Sequence, residues 1–134
     1  KKYITEIVFK DKVKLSQLNA IVHPEVRKHF QEFVKINAQK KYIIYENAIL
    51  FESKSNLFCD IIITVFVDID TKIKRVISRD KSTKKEVLDR MKNQWSDSKK
   101  MLQSNYVIYN KNIEETKNNV DRIHNILTVK LVNV

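Results

Sequence analysis

Two arginines, Arg79 and Arg90, stand eleven residues apart on either side of a Lys-Ser-Thr break between two helical patterns. Fixed guanidinium charge on both sides of a turn can close over a triphosphate and stabilise the group being transferred. The same pair can equally be taken up by Asp80, Asp89 or water on an exposed helix. Residues 72–92 hold nine Lys/Arg against three acids, a net of +6 within a chain whose formal charge is +10. A field of this sign favours an anionic partner: nucleic acid, anionic lipid or a phosphorylated small molecule.

A second group of polar residues follows apolar runs. Glu46 ends Tyr42-Ile43-Ile44-Tyr45, Asp68 ends Ile61–Val67, and Asn110 ends Tyr106-Val107-Ile108-Tyr109. In open parallel sheets functional groups gather beyond the carboxyl ends of the strands. An acid there can hold a magnesium ion or cap the following turn, and spacing alone does not choose between them. Neither zinc spacing among His and Cys nor a Ser/His/Asp set is apparent.

The elements that must carry these residues follow from periodicity. Tyr3, Ile4, Ile7 and Val8 fit a short helix, and Leu15, Leu18 and Val22 fit another. The His23-Pro24 pair is expected to interrupt it, because proline disfavours helical backbone just before itself and suits a helix's first turn. Val26, Phe30, Phe33 and Val34 then stripe a helix to about Ala38. The runs at 42–46, 61–67 and 106–109 read as strands, with 61–67 apolar on both faces and so expected between helix layers. Residues 70–79 predict a helix with Ile73, Val76 and Ile77 inward. Thr83 with Glu86 three residues on predicts a capping box, ahead of Val87, Leu88, Met91 and Trp95. A short helix at about 97–103 and a last one striped by Ile113, Val120, Ile123 and Leu127 complete the chain. Strands followed by helices, without hairpin signals, mean parallel crossovers and an α/β fold.

Composition narrows the classes. With 134 residues and 43% hydrophobic content, the chain reads as one globular domain. The single Cys59 forms no internal disulfide, and beside the apolar run it reads as a small packed residue. The longest apolar run is too short to span a bilayer, and Lys1-Lys2 leads into a helical pattern rather than a leader, so a cytoplasmic protein with no membrane partner is expected. Average usage would place about nine glycines in such a chain; there are none. No Gly-rich phosphate loop can be built from these residues.

Taken in order, the segments resemble dephospho-coenzyme A kinase. Ile7-Val8-Phe9 and Leu18–Pro24 resemble its helical segment ending in His-Pro, and Glu46–Glu52 its strand-end acid followed by Leu50-Phe51-Glu52. Cys59-Asp60 with the apolar strand, Arg75, Arg79-Asp80, Ser82, Arg90-Met91 and Gln94 resemble its lid region, and Tyr106–Asn110 the strand that ends on Asn. The resemblance implies a P-loop kinase-like parallel sheet with helices on both faces, here missing the first strands. Residues 1–39 would be a helical substrate-binding segment, and 40–134 a partial core with a lid at about 78–98. It further implies ATP-dependent phosphorylation of the ribose 3′-hydroxyl of dephospho-coenzyme A, with Mg²⁺. Arg79 and Arg90 would be lid arginines acting in catalysis. His23, Pro24, Leu50, Phe51 and Glu52 would contact dephospho-coenzyme A, and Asn110 would lie near the adenine of ATP, with no nucleic acid expected as partner.

The sequence departs from the family pattern where Glu46 and Ala48 replace the usual Asp and a proline two residues on, and Lys111 replaces a Gly. The family's Gly-x4-Gly-Lys-Ser/Thr loop and the catalytic Asp after it are not in these residues. The chain therefore reads as the carboxyl-terminal two-thirds of such an enzyme, inactive on its own. Another small-molecule P-loop nucleotide kinase, or a basic nucleic-acid-binding module, would share the cationic field. The nucleotide kinase would not share the His-Pro segment, and against the nucleic-acid module, Tyr42, Tyr45, Tyr106 and Tyr109, falling in strands, are expected to pack rather than form a base-stacking platform.

Overall fold

A computed structural model describes residues 11–130, which divide into two compact units between Ile44 and Tyr45. The helix expected at residues 3–9 lies outside the described residues.

In the first unit one helix, α1, runs unbroken over Lys12–Ile36. Asp11 starts it, its Oδ1 accepting from the amides of Val13 (2.9 Å) and Lys14 (3.2 Å). Asn37 closes it, its side-chain amide donating to the Phe33 carbonyl at 2.9 Å. The interruption expected at His23-Pro24 does not occur: Pro24 sits inside the helix. Proline removes one internal hydrogen bond. Ending a helix there would orphan a whole turn of backbone groups, and neither Val22 nor His23 is a residue type that caps one.

The boundary between the units falls in a run that carries strand-type residues but forms no strand. Tyr42–Tyr45, expected as the first strand, has no ladder partner among the described residues. β-branched and aromatic content fits a pleated surface, but a strand exists only once another edge pairs with it. The sheet here has two strands, β1 (Ile63–Phe66) and β2 (Tyr106–Tyr109), parallel and in the register Ile63↔Tyr106 to Phe66↔Tyr109. Asn105 locks the start of the ladder: its Oδ1 accepts from the Ile62 amide at 2.8 Å, and its own amide donates to the Ile62 carbonyl at 2.9 Å. At the other end the Asn110 amide donates to the Phe66 carbonyl at 2.8 Å.

The crossover between the strands contains α2 (Ile69–Asp80), α3 (Lys84–Lys92) and α4 (Asp97–Leu102), and α5 (Ile113–Lys130) follows β2. Asp68 caps α2, accepting from the Thr71 amide at 3.0 Å. Its carboxylate faces the positive end of the helix dipole, a favourable placement. The capping box of α3 is present with both of its bonds: the Thr83 hydroxyl takes the Glu86 amide and the Glu86 carboxylate takes the Thr83 amide. Between α2 and α3, Lys81 adopts a left-handed conformation (φ 51°, ψ 34°), a position glycine usually fills.

Ile73, Val87, Ile108 and Ile123 bring one buried side chain each from α2, α3, β2 and α5, joined by Phe51 and Val67. β1, expected to be buried on both faces, is buried on one. Thr64 is the buried residue, its hydroxyl 2.6 Å from that of Ser104, while Ile63 and Val65 are 39% and 56% exposed. The helix layers expected on both sides of this strand cover one side of it among the described residues. The parallel α/β class itself is as expected.

Candidate functional site

The turn between α2 and α3 brings Arg79 and Arg90 onto one carboxylate. Asp80 Oδ1 accepts from Arg79 Nε at 2.8 Å, and Asp80 Oδ2 accepts from Arg90 Nη1 at 3.0 Å and from Arg79 Nη2 at 3.4 Å. The guanidinium side chains are 74% and 53% exposed and the carboxylate between them 27%. The hydrogen bonds from Arg79, and then those from Arg90, hold the Asp80 carboxyl below the usual range. Asp80 in turn raises the pKa of Arg79, with a smaller contribution from the charge of Glu46. Of the two possibilities read from the spacing, the structure displays uptake by an acid: Asp80 holds both arginines.

The strand ends form a second cluster. Arg75, on α2, reaches across to the loop after β2, Nη1 donating to the Asn110 carbonyl at 2.5 Å and Nη2 to the Lys111 carbonyl at 3.0 Å. The Asn110 side chain accepts from the Thr116 hydroxyl at 3.0 Å. Asp68 Oδ2 lies 3.4 Å from the Tyr109 hydroxyl, and Asp68 is held below its ordinary pKa chiefly by its hydrogen bonds with Thr71. Of the two uses open to Asp68, the structure displays the cap. Among the described residues no group of three His, Cys, Asp or Glu converges where a metal ion would sit. Tyr109, expected to pack, is 38% exposed and pairs with Phe66 at 5.0 Å between ring centroids.

The Leu50-Phe51-Glu52 run is built into the structure more deeply. Phe51 is 8% exposed and stacks on Trp95 with ring centroids 5.2 Å apart and planes 5° from parallel. Lys99 Nζ sits 3.6 Å from the centroid of the Trp95 ring, a cation–π contact. Glu52 Oε1 accepts from the Trp95 amide at 2.6 Å and pairs with Lys100 at 3.4 Å, while Lys100 also donates to the Ala48 carbonyl at 2.8 Å. Burial pushes the Glu52 pKa up, but the Trp95 amide, its own backbone amide and Lys100 together bring it below the usual value. Glu52 Oε2 is buried without a hydrogen-bond partner among the described residues. The Leu50 carbonyl caps the turn that follows, accepting from the Ser55 amide at 2.9 Å.

His23 and Pro24 stand mid-way along α1 in the first unit, His23 half-buried and Pro24 exposed. Glu46 is exposed, and no hydrogen bond is described for its side chain. Cys59 has its thiol pKa raised, first by burial and then by the charge of Asp60, which fits a packed thiol rather than a nucleophile. Sequence reasoning did not anticipate the Arg75 clamp, the Glu52–Trp95–Lys100 knot or the Thr64–Ser104 bond. Their partners are 35 to 48 residues apart in the chain, and no local pattern signals such contacts.

The described residues of the second unit form a parallel α/β core whose crossover carries two convergent, exposed arginines. In fold it is similar to a solved protein described as TT1252 from Thermus thermophilus, with a TM-score of 0.81 over 92% of this chain and 64% of that one, at 24% identity. The family model for dephospho-CoA kinase (CoaE) matches residues 1–115. The chain is 38% identical over 133 residues to a dephospho-CoA kinase of Leptospira interrogans, covering 98% of this chain and 64% of that protein. It is 36% identical over 123 residues to one of Fusobacterium nucleatum, covering 91% of this chain and 63% of that protein. The chain belongs to the dephospho-CoA kinase family, and it spans somewhat under two-thirds of the length of these relatives.

Proposed function

We propose that the protein containing this chain phosphorylates the ribose 3′-hydroxyl of dephospho-coenzyme A with ATP. The observation that carries the reading is the convergence of Arg79 and Arg90 on one carboxylate, within a chain of this family. In the reaction the 3′-hydroxyl oxygen attacks the γ-phosphorus and releases its proton to solvent, the bond to the β-phosphate oxygen breaks, and ADP leaves. Negative charge spreads over the transferred group, and catalysis of such a step is mostly positioning and charge stabilisation. Two guanidiniums held at one point supply that charge in a form that never deprotonates.

The other roles follow from the family. Asn110 and its loop would meet the adenine of ATP, a reading supported by the Arg75 hydrogen bonds that fix the Asn110 and Lys111 carbonyls. Glu52, with one buried oxygen lacking a described partner, and Leu50 and Phe51 beside it, would border dephospho-coenzyme A. His23 and Pro24, in the helical segment 1–39, would contact the same substrate. Mg²⁺ would accompany ATP. The lone, packed Cys59 fits a cytoplasmic location. We expect the 134-residue chain by itself to transfer no phosphate, because it holds no glycine from which to build a phosphate loop.

The test is a mass-detected assay with Mg-ATP and dephospho-coenzyme A, using the natural reading frame extended upstream of Lys1. A gain of one phosphate on the substrate, lost in Arg79→Ala, is the expected result. A folded protein that binds ATP but leaves this substrate untouched would point to a nucleotide kinase instead. Phosphate transfer by the unextended chain would overturn the expectation of inactivity.

A further inference from the structure

We infer that Asp80 is a positioning residue for the arginine pair: its carboxylate holds Arg79 and Arg90 convergent in the free protein and yields both to an incoming polyphosphate. The inference rests on the reading that this pair receives phosphate.

Arg79 is the neighbour of Asp80 on α2, and Arg90 arrives from α3, ten residues further on. Long exposed side chains left to themselves would sample many rotamers and repel each other. Asp80 removes both problems. Its two oxygens take Arg79 Nε, Arg79 Nη2 and Arg90 Nη1, and its negative charge lies between the two positive ones. A carboxylate and a phosphate present paired oxygens to a guanidinium fork in similar geometry, so the arrangement that suits Asp80 also suits a phosphate edge. The arginines are the more open partners, at 74% and 53% exposure against 27% for Asp80, so a ligand can approach them from solvent without unfolding the turn. Exposed ion pairs hold weakly and exchange readily. A tripolyphosphate, carrying several charges to the carboxylate's one, displaces such a partner.

The inference predicts a combination that simple loss of structure does not produce. In Asp80→Asn the competing charge is gone while the arginines lose their common anchor. Binding of inorganic tripolyphosphate to the chain, measured by calorimetry near 0.15 M salt, should tighten by about fivefold. In the upstream-extended frame, KM for ATP should fall, while kcat falls by about tenfold because the arginines no longer meet at one point. Asp80→Glu, which restores the charge, should recover both quantities towards the wild-type values. Asp89→Asn makes the same change of charge at an acid paired with Lys92 on α3, and should shift tripolyphosphate affinity by less than about twofold.

An Asp80→Asn protein that binds tripolyphosphate no more tightly than wild type overturns the inference. So does an equal tightening in Asp89→Asn, which would reduce the effect to net charge. Unchanged tripolyphosphate binding in both Arg79→Ala and Arg90→Ala would remove the phosphate reading of the pair and the role of Asp80 with it. If the Asp80 pattern in tripolyphosphate binding appears but dephospho-coenzyme A is not phosphorylated, the inference stands and the substrate assignment falls.

Discussion

Two carboxylates in this protein each gather two partners, and they do opposite things. Glu52 takes the Trp95 amide and the Lys100 ammonium in a place where both charged side chains are largely covered, 17% and 15% exposed, beside the Phe51–Trp95 stack. Asp80 takes Arg79 and Arg90 where both arginines stand in solvent. The covered contact pins the chain after α3 to residues 48–52 and cannot exchange without opening the structure. The open one costs little to break and can be traded for another anion. One pairing of acid with base builds the frame, and the other offers a grip. Dielectric surroundings decide which, since water screens the exposed charges and not the covered ones.

The contrast can be broken from the covered side first. Phe51→Ala removes a buried ring and its stack on Trp95, and should cost about 3–4 kcal/mol of stability in chemical denaturation. A loss under about 1 kcal/mol would show that the knot is not a structural brace. Lys100→Met should cost about 2 kcal/mol, because it leaves the covered Glu52 carboxylate with the Trp95 amide as its main partner. The pH dependence follows from the same group. The Glu52 pKa is lower in the folded protein than the ordinary 4.5, so its contribution is complete above that value and is lost as pH falls through the depressed one. Glu52→Gln should therefore flatten the fall in stability below about pH 4.5, read from denaturant midpoints between about pH 3 and 6.

On the open side, Arg90→Ala should leave the unfolding midpoint where it was and weaken tripolyphosphate binding by about tenfold. Equal damage to stability and binding would place the pair in the frame after all. The smallest effect concerns the turn itself. Lys81→Gly should raise stability by about 0.5 kcal/mol, the relief of a left-handed backbone less the greater freedom of glycine in the unfolded chain. A drop in the thermal midpoint of Lys81→Gly would mean that the Lys81 side chain, rather than its backbone, matters to the turn.

Much of the candidate site was legible because it is local. Arg79, Asp80 and Arg90 lie within twelve residues, and a helix, a turn and a second helix bring them together, so the arginine pair and its competing acid were both readable from spacing. Leu50, Phe51 and Glu52 were legible only through family resemblance, and the structure adds that Phe51 is core and Glu52 is tied to Trp95. Asn110 was found at the end of its strand, but not the Arg75 bonds that hold its loop. The strand at Tyr42–Tyr45 and the break at Pro24 were misread for related reasons. Propensity describes what a segment tolerates, whereas pairing and capping partners decide what it becomes.

By itself the sequence determined the capping box that starts α3, the inward faces of α2 and α3, the parallel α/β class and the cationic turn. All of these rest on interactions between residues a few positions apart, where the backbone geometry is known in advance. Tertiary structure alone decided the register of β1 on β2, the burial of Thr64 with Ile63 and Val65 outward, and the Arg75 clamp on the 110–111 carbonyls. It also decided which carboxylate is covered. Each depends on which distant surface arrives to exclude water, and charge or hydrophobicity read along the chain carries no record of that arrival.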